Sequence, residues 1–206
     1  MGLYSQWLFP RLCDWVMRQP RLSALRRELL SGVKGEVLEI GFGSGLNLPH
    51  YPKGVTKITA VDPNGAMSRL AEKRVNASPI PVDYKTIGAE RIPIGDAAFD
   101  SIVSTWTLCS IPEVDLALKE IDRLLKPGGR FFFLEHGRSE DPKVRRWQDR
   151  LTPLNKRLAG GCHLNRDIRG LIAASGLKVV ALNRFYLERA PKIAGYFYQG
   201  TAEKSG

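Results

Sequence analysis

From Gly35 onward, short apolar runs rich in β-branched residues, bounded by Gly, Pro and Asp, alternate with longer segments of helical spacing. That alternation predicts an α/β domain on a largely parallel sheet. Strands are expected at residues 36–40, 57–61, 82–87, 101–105, 130–135, 178–183 and 195–199, and helices at 66–76, 113–125 and 167–175. The second helix carries Val114, Leu118, Ile121 and Leu125 at three- and four-residue intervals, and Lys126, Pro127, Gly128 and Gly129 stop it before the next strand. Ahead of the sheet, Trp7, Leu8, Leu12, Trp15 and Val16 form a helical stripe broken at Pro10 and Pro20, followed by a basic helix with Arg26 and Arg27. Residues 1–34 are therefore read as a helical lid or flank and 35–206 as the main domain. Within it, residues 138–169 show weak periodicity and nine Lys or Arg against four acids, which marks them as a basic substrate insertion.

Composition narrows this picture. At 206 residues, 43% hydrophobic and 25% charged, the chain can build one full core, which excludes disordered, collagen-like and small disulfide-stapled classes. A net charge of +10 points to an anionic partner without choosing among nucleic acid, membrane surface and acidic ligand. Cys13, Cys109 and Cys162 are odd in number, far apart and in no CxxC pair, so neither a disulfide framework nor a metal ligand set is expected. A reducing, cytoplasmic setting follows, and no apolar stretch approaches the roughly 18–20 residues that span a membrane.

The chemistry concentrates after the first strand. In VLEIGFGSGLN, Gly41, Gly43 and Gly45 stand at alternate positions, where glycine permits a tight turn and lets a ligand lie against the backbone. Twenty-one residues after Gly41, Asp62 ends the next strand, where a carboxylate can accept two ribose hydroxyls. A dinucleotide loop reads GxGxxG, but here the third glycine comes one residue early and Glu39 precedes the loop. Such a carboxylate suits a ligand with a cationic amino group, so S-adenosylmethionine fits better than a pyrophosphate.

At these residues the chain resembles the class I S-adenosylmethionine-dependent methyltransferases. The likeness runs through VLEIGFGSG, VDPN, GAERIPI, FDSIVSTWTLCSI and LLKPGGRFFFLEH. It implies a Rossmann-like seven-stranded sheet in order 3-2-1-4-5-7-6, with strand 7 antiparallel and helices on both faces. It further implies that Glu39, Gly41, Gly43, Ser44, Gly45, Asn47 and Thr105 surround the methionine end of the cofactor. By the same likeness Asp62 holds the ribose, and Pro63, Asn64, Met67, Ala89 and Glu90 border the adenine. Many relatives carry Asp where Gly88 stands, so adenine readout is expected to rest on Glu90 or on backbone. TLCSI, FLEH and GGCHLNRD resemble the small methyltransferase-like group that includes thiol S-methyltransferases; similar sequences include phospholipid N-methyltransferases and quinone C-methyltransferases.

Methyl transfer from a sulfonium is an in-line displacement that needs alignment and exclusion of water rather than a metal. A small thiol such as hydrosulfide, methanethiol or an alkyl thiol ionises readily beside cationic groups, whereas an ammonium acceptor requires a base. His136 and His163 are the candidate imidazole bases near the carboxyl edge of the sheet. Trp7, Trp106, Thr107, Cys109, Asn165 and Arg166 are candidate acceptor contacts. Trp7, Phe9 and Trp15 beside Arg11, Arg18 and Arg21 would equally serve peripheral contact with an anionic membrane. No nucleic-acid module is recognised, and a nucleic-acid partner is not expected.

Overall fold

A computed structural model describes residues 8–204. Two helices, α1 (Phe9–Met17) and α2 (Pro20–Leu30), precede the sheet. Then follow β1 (Gly35–Ile40), β2 (Val55–Val61), α3 (Gly65–Asn76), β3 (Val82–Lys85), β4 (Phe99–Thr105), α4 (Val114–Leu124) and β5 (Leu125–His136). The chain closes with α5 (Pro142–Leu158), α6 (Ile168–Ala174), β6 (Leu177–Tyr186) and β7 (Tyr196–Lys204). The sheet runs β3-β2-β1-β4-β5-β7-β6, and β7 is antiparallel to both neighbours, which is the expected architecture.

Alternation along the central strands sorts side chains into two cores. Leu38, Ile102, Phe131 and Phe133 pack with Leu118 and Ile121 of α4 and Ile172 of α6 on one face. Val37, Ile58, Val103, Phe132 and Leu134 pack with Leu29 and Leu30 of α2 and Ala71 of α3 on the other. Asn64, Asp141 and Asp167 each accept a backbone N–H in the first turn of α3, α5 and α6, so three helices begin on side-chain caps.

Three elements depart from the sequence reading. Residues 142–158 form a 17-residue helix where only weak periodicity is legible, because α5 docks through Val144 and two polar residues. Gln148 is fully buried; it accepts from Ser139 N at 2.9 Å and donates to the carbonyls of Gly137 and Ile193 at 3.0 and 2.9 Å, while Thr152 bonds back to Gln148 O. A strand register replaces the expected stop after α4: Leu125 pairs with Phe99, the ladder slips, and Arg130 resumes opposite Ser101. Finally, β7 runs on to Lys204 through Gly200, where a Cβ would overlap the carbonyl oxygen of Ala181, so glycine keeps the strand in register.

Candidate functional site

Gly41, Gly43 and Gly45 all hold positive φ, at 71°, 57° and 78°, so the loop after β1 takes a path that L side chains rarely follow. A Cβ on Gly41 would overlap the Thr107 side chain, which packs the loop directly against the segment after β4. The amide of Gly43 donates to Asp62 Oδ2 at 2.9 Å and that of Asn64 to Oδ1 at 2.8 Å. Each carboxylate oxygen keeps a lone pair for a further donor. Burial pushes the Asp62 carboxyl upward against the pull of these two amides.

A cavity of about 300 Å³ opens at the carboxyl edge of β1, β2 and β4. It gathers most of the predicted cofactor residues: Gly41, Gly43, Ser44, Asn47, Asp62, Pro63, Asn64, Met67, Ala89, Glu90 and Thr105. Trp106 and Thr107 also line it, Trp106 with an unusual φ of 52°. Gly45 lies behind the wall against Phe42 and Leu48. At Gly88 an added Cβ would overlap Glu90 Oε2, so the Glu90 carboxylate folds over the position where many relatives place an acid.

Glu39 does not line the cavity. It is 1% exposed, accepts from Asn47 Nδ2 at 2.8 Å and from Tyr51 Oη at 2.6 Å, and burial carries its pKa to about 7 against those two hydrogen bonds. The group offered to the cavity is the Asn47 amide. Its nitrogen also donates to Thr105 Oγ1 at 3.1 Å, while its buried oxygen has no partner among the described residues.

The N-terminal helices supply residues that the sequence reading did not single out as site groups. Cys13, Asp14 and Met17 of α1 and Arg26 of α2 line the cavity. Asp14 accepts from Ser44 Oγ at 2.5 Å and pairs with Arg18 at 2.5 Å and Arg74 at 3.0 Å; Arg74 also donates to Ser44 O at 2.6 Å. Although burial opposes it, the Ser44 hydroxyl and the arginines hold the Asp14 carboxyl below the usual range. Arg26, 4% exposed, donates to Met17 O at 2.8 Å and lies 4.5 Å over the Trp106 ring, and its Nε has no partner among the described residues. Burial brings its pKa down to about 10, with Glu39 and Cys13 acting in the other direction. The only sequence signal for this pair was a charged residue in each of two helices otherwise read from their apolar stripe. Trp7 lies outside the described residues.

Of the acceptor-side candidates Trp106 and Thr107 line the cavity, whereas His136, His163, Cys109, Asn165 and Arg166 do not. His163 turns Nδ1 toward the carbonyl of Cys109 at 3.1 Å, and Asn165 donates to Asp149 at 2.8 Å on the surface. Arg166 donates to the carbonyls of Leu108 and Ile111 and so braces the loop after β4. Glu135 braces it from beneath, its Oε1 accepting from Ser104 Oγ and from the amides of Thr107 and Leu108 at 2.8, 3.1 and 3.1 Å. His136 is buried with Nε2 at 3.0 Å from Cys162 Sγ. Burial works against its charge, but Cys162 and Glu135 carry its pKa above the ordinary value. Cys109, His136 and Cys162 bring their donor atoms within 4.8 Å of one another, a grouping that their spacing in the sequence conceals.

A family model described as a methyltransferase domain matches residues 38–133. The chain is 33% identical over 160 residues to thiol S-methyltransferase TMT1B of Rattus norvegicus, covering 71% of this chain and 65% of that protein. It is 30% identical over 165 residues to thiol S-methyltransferase TMT1A of Homo sapiens, covering 74% and 67%. The match thus spans about two thirds of each relative. The fold is shared with the putative methyltransferase solved with the Trm112 activator of Haloferax volcanii, at TM-score 0.76 and 17% identity over 100% of this chain and 99% of that one.

Proposed function

We propose that this chain, which belongs to the S-adenosylmethionine-dependent methyltransferases, transfers a methyl group to a small thiol such as hydrosulfide, methanethiol or an alkyl thiol. The residues fit the cofactor. Asp62 keeps acceptor capacity for two ribose hydroxyls, and the free Asn47 oxygen and the buried Arg26 guanidinium complement the ammonium and carboxylate of an amino acid. Glu90 and Ala89 would border the adenine. When bound, S-adenosylmethionine supplies a methyl group activated by its sulfonium. The chain then has to orient the acceptor and keep water out: Trp106 and Thr107 form one wall, and the Asp14–Ser44 hydrogen bond holds α1 over the glycine loop.

One observation carries the acceptor class: no imidazole lines the cavity among the described residues. Of the three acids that line it, Asp14 is committed to Ser44 and two arginines and Asp62 to two amides, while Glu90 lies on the side assigned to the adenine. A protonated amine would find no imidazole and no carboxylate free of other partners near the glycine loop, whereas a thiol beside the positive charge of Arg26 is favoured as thiolate. The names of the curated relatives point the same way.

A second reading rests on the surface of α1, where Leu8, Leu12 and Trp15 are exposed, Trp15 by 71%, next to the basic Arg11 and Arg18. No helix among the described residues is long and apolar enough to cross a membrane, but this face suits peripheral contact with an anionic surface and a lipid amine acceptor. S-adenosylhomocysteine formation with sulfide, methanethiol, a longer alkyl thiol or phosphatidylethanolamine vesicles separates the two readings. Product is expected with the free thiols, and product with vesicles alone would replace the thiol by the lipid.

A further inference from the structure

Cys109, His136 and Cys162 have no part in the cofactor cavity, yet three separate elements deliver them to one point. Cys109 sits in the loop between β4 and α4, His136 ends β5, and Cys162 lies in the turn after α5. Their donor atoms lie within 4.8 Å of one another, with His136 Nε2 and Cys162 Sγ at 3.0 Å. Tetrahedral zinc with bonds of about 2.3 Å to sulfur and 2.0 Å to nitrogen sets its ligand atoms about 3.8 Å (S to S) and 3.6 Å (S to N) apart. Changes in separation of up to about 1 Å, within reach of side-chain rotation, therefore convert the observed cluster into three corners of that tetrahedron.

Hydrogen bonds fix the backbone of each cysteine independently of the thiols. The carbonyl of Cys109 accepts from His163 N at 2.8 Å and faces His163 Nδ1 at 3.1 Å. The carbonyl of Cys162 accepts from Asn155 Nδ2 at 2.8 Å, and its amide donates to Ala159 O at 3.0 Å. Arg166 and Glu135 brace the loop that carries Cys109 from two sides. A preset cradle of this kind costs little to organise around an ion. The imidazole is the third observation. It is 8% exposed and turns Nε2 toward Cys162 Sγ, so the ring nitrogen that faces the two cysteines is the one placed to ligate.

We infer that Cys109, His136 and Cys162 form a three-ligand site for a thiophilic divalent cation of the zinc class, with the fourth position open to an exogenous ligand. Two thiolates and one imidazole suit zinc and exclude hard cations such as magnesium and calcium. Three protein ligands plus one free position is the arrangement of ligand-exchanging zinc centres, not of closed structural ones. The site borders the cavity: Ser110 and Ile111 beside Cys109, and Ala159 and Gly160 just before Cys162, all line it, and Cys162 itself is half-buried. The inference does not depend on which acceptor the cavity takes.

The test uses the full chain, reduced, treated with chelator, and titrated with cobalt(II) as a spectroscopic substitute and with zinc for stoichiometry. One equivalent of zinc should survive desalting, and cobalt should give an intense thiolate charge-transfer band with tetrahedral d–d absorption. Ethanethiol should shift that d–d envelope. Cys162→Ser, at a half-buried turn position, should weaken metal binding by about tenfold or more with unchanged circular dichroism, whereas Cys13→Ser should retain the cobalt band. Cys109→Ser should act like Cys162→Ser; if its buried position prevents folding, Cys162→Ser decides. Absence of the cobalt band, a band that survives Cys162→Ser, or a Cys109–Cys162 disulfide whose reduction yields no metal affinity would overturn the site. A cobalt spectrum indifferent to ethanethiol would overturn its open position.

Discussion

The two halves of the sheet edge are built differently. Around β1–β3, ligand groups come from one loop, one strand end and backbone amides, so most of Gly41 to Asn47 and of Asp62 to Met67 reach the cavity from two short segments. Past β4, the loop bearing Trp106 to Ile111 is positioned by residues distant in sequence: Glu135 beneath it, Arg166 beside it, Arg26 stacked on Trp106. The first half is thus a motif and the second a set of tertiary contacts. A change in the first half should act on cofactor binding, and one in the second on the acceptor.

The sharpest break in that contrast is Gly41→Ala. At φ 71° a Cβ is strained by about 1–3 kcal/mol, and it would also overlap Thr107. We expect cofactor binding to be lost to calorimetry, with a lower melting temperature but a cooperative transition. Unchanged affinity would mean that the loop and the Thr107 segment can separate freely, and the two halves would not be coupled at this point.

The same contrast explains what the sequence revealed. Strand positions, glycine loop and Asp62 were legible because local pattern marks them, as near-continuous apolar runs for β1, β4 and β5 and a glycine-rich turn, whereas the strand order followed from the resemblance to the methyltransferases. Arg26, Asp14 and the Cys109–His136–Cys162 grouping were not legible, since nothing in local spacing says which helix face meets which loop. The helix α5 was missed for a related reason: its inward stripe includes Gln148 and Thr152, whose burial depends on partners such as Ile193 O at the far end of the chain. His136 and His163 were placed on the correct edge, but lying beyond a strand end does not specify which way a ring turns.

A second prediction concerns pH and the cofactor half. Burial lifts the Glu39 carboxyl from 4.5 to about 7, so between those values the folded chain holds a proton that the unfolded chain has released. The Glu39 contribution to stability is therefore full below about pH 4.5 and declines as pH rises to about 7, by roughly 3 kcal/mol, then levels off. Glu39→Gln keeps one oxygen acceptor, for Asn47 Nδ2, turns an amide N–H toward the Tyr51 hydroxyl, and removes that contribution. Asp62 and Glu135, also raised by burial, remain in the variant to give a decline in the same direction, and Asp14, Asp100 and Glu120, held below the usual range, give an opposite rise at acid pH. Denaturant unfolding of the ligand-free chain from pH 4.5 to 8 reads the difference, and parallel curves for the two proteins would show that Glu39 is ionised throughout.

The smallest effect on the cofactor is expected from Arg166→Met, and this makes it the finest probe of the division. The guanidinium donates to Leu108 O and Ile111 O, and charged hydrogen bonds of this kind contribute about 1.5–3 kcal/mol each when buried. Methionine fills part of the volume but donates nothing, so the loop bearing Thr107, Ser110 and Ile111 loses its lateral brace while Glu135 still holds Thr107 and Leu108 from beneath. The glycine loop and Asp62 do not touch Arg166, so the dissociation constant for S-adenosylmethionine should stay within about twofold. The KM for the acceptor should rise several-fold, because Ser110 and Ile111, carried by this loop, line the cavity. Equal losses for both ligands would show that the two halves move as one body, and that the tertiary contacts past β4 hold the motif as well as the acceptor.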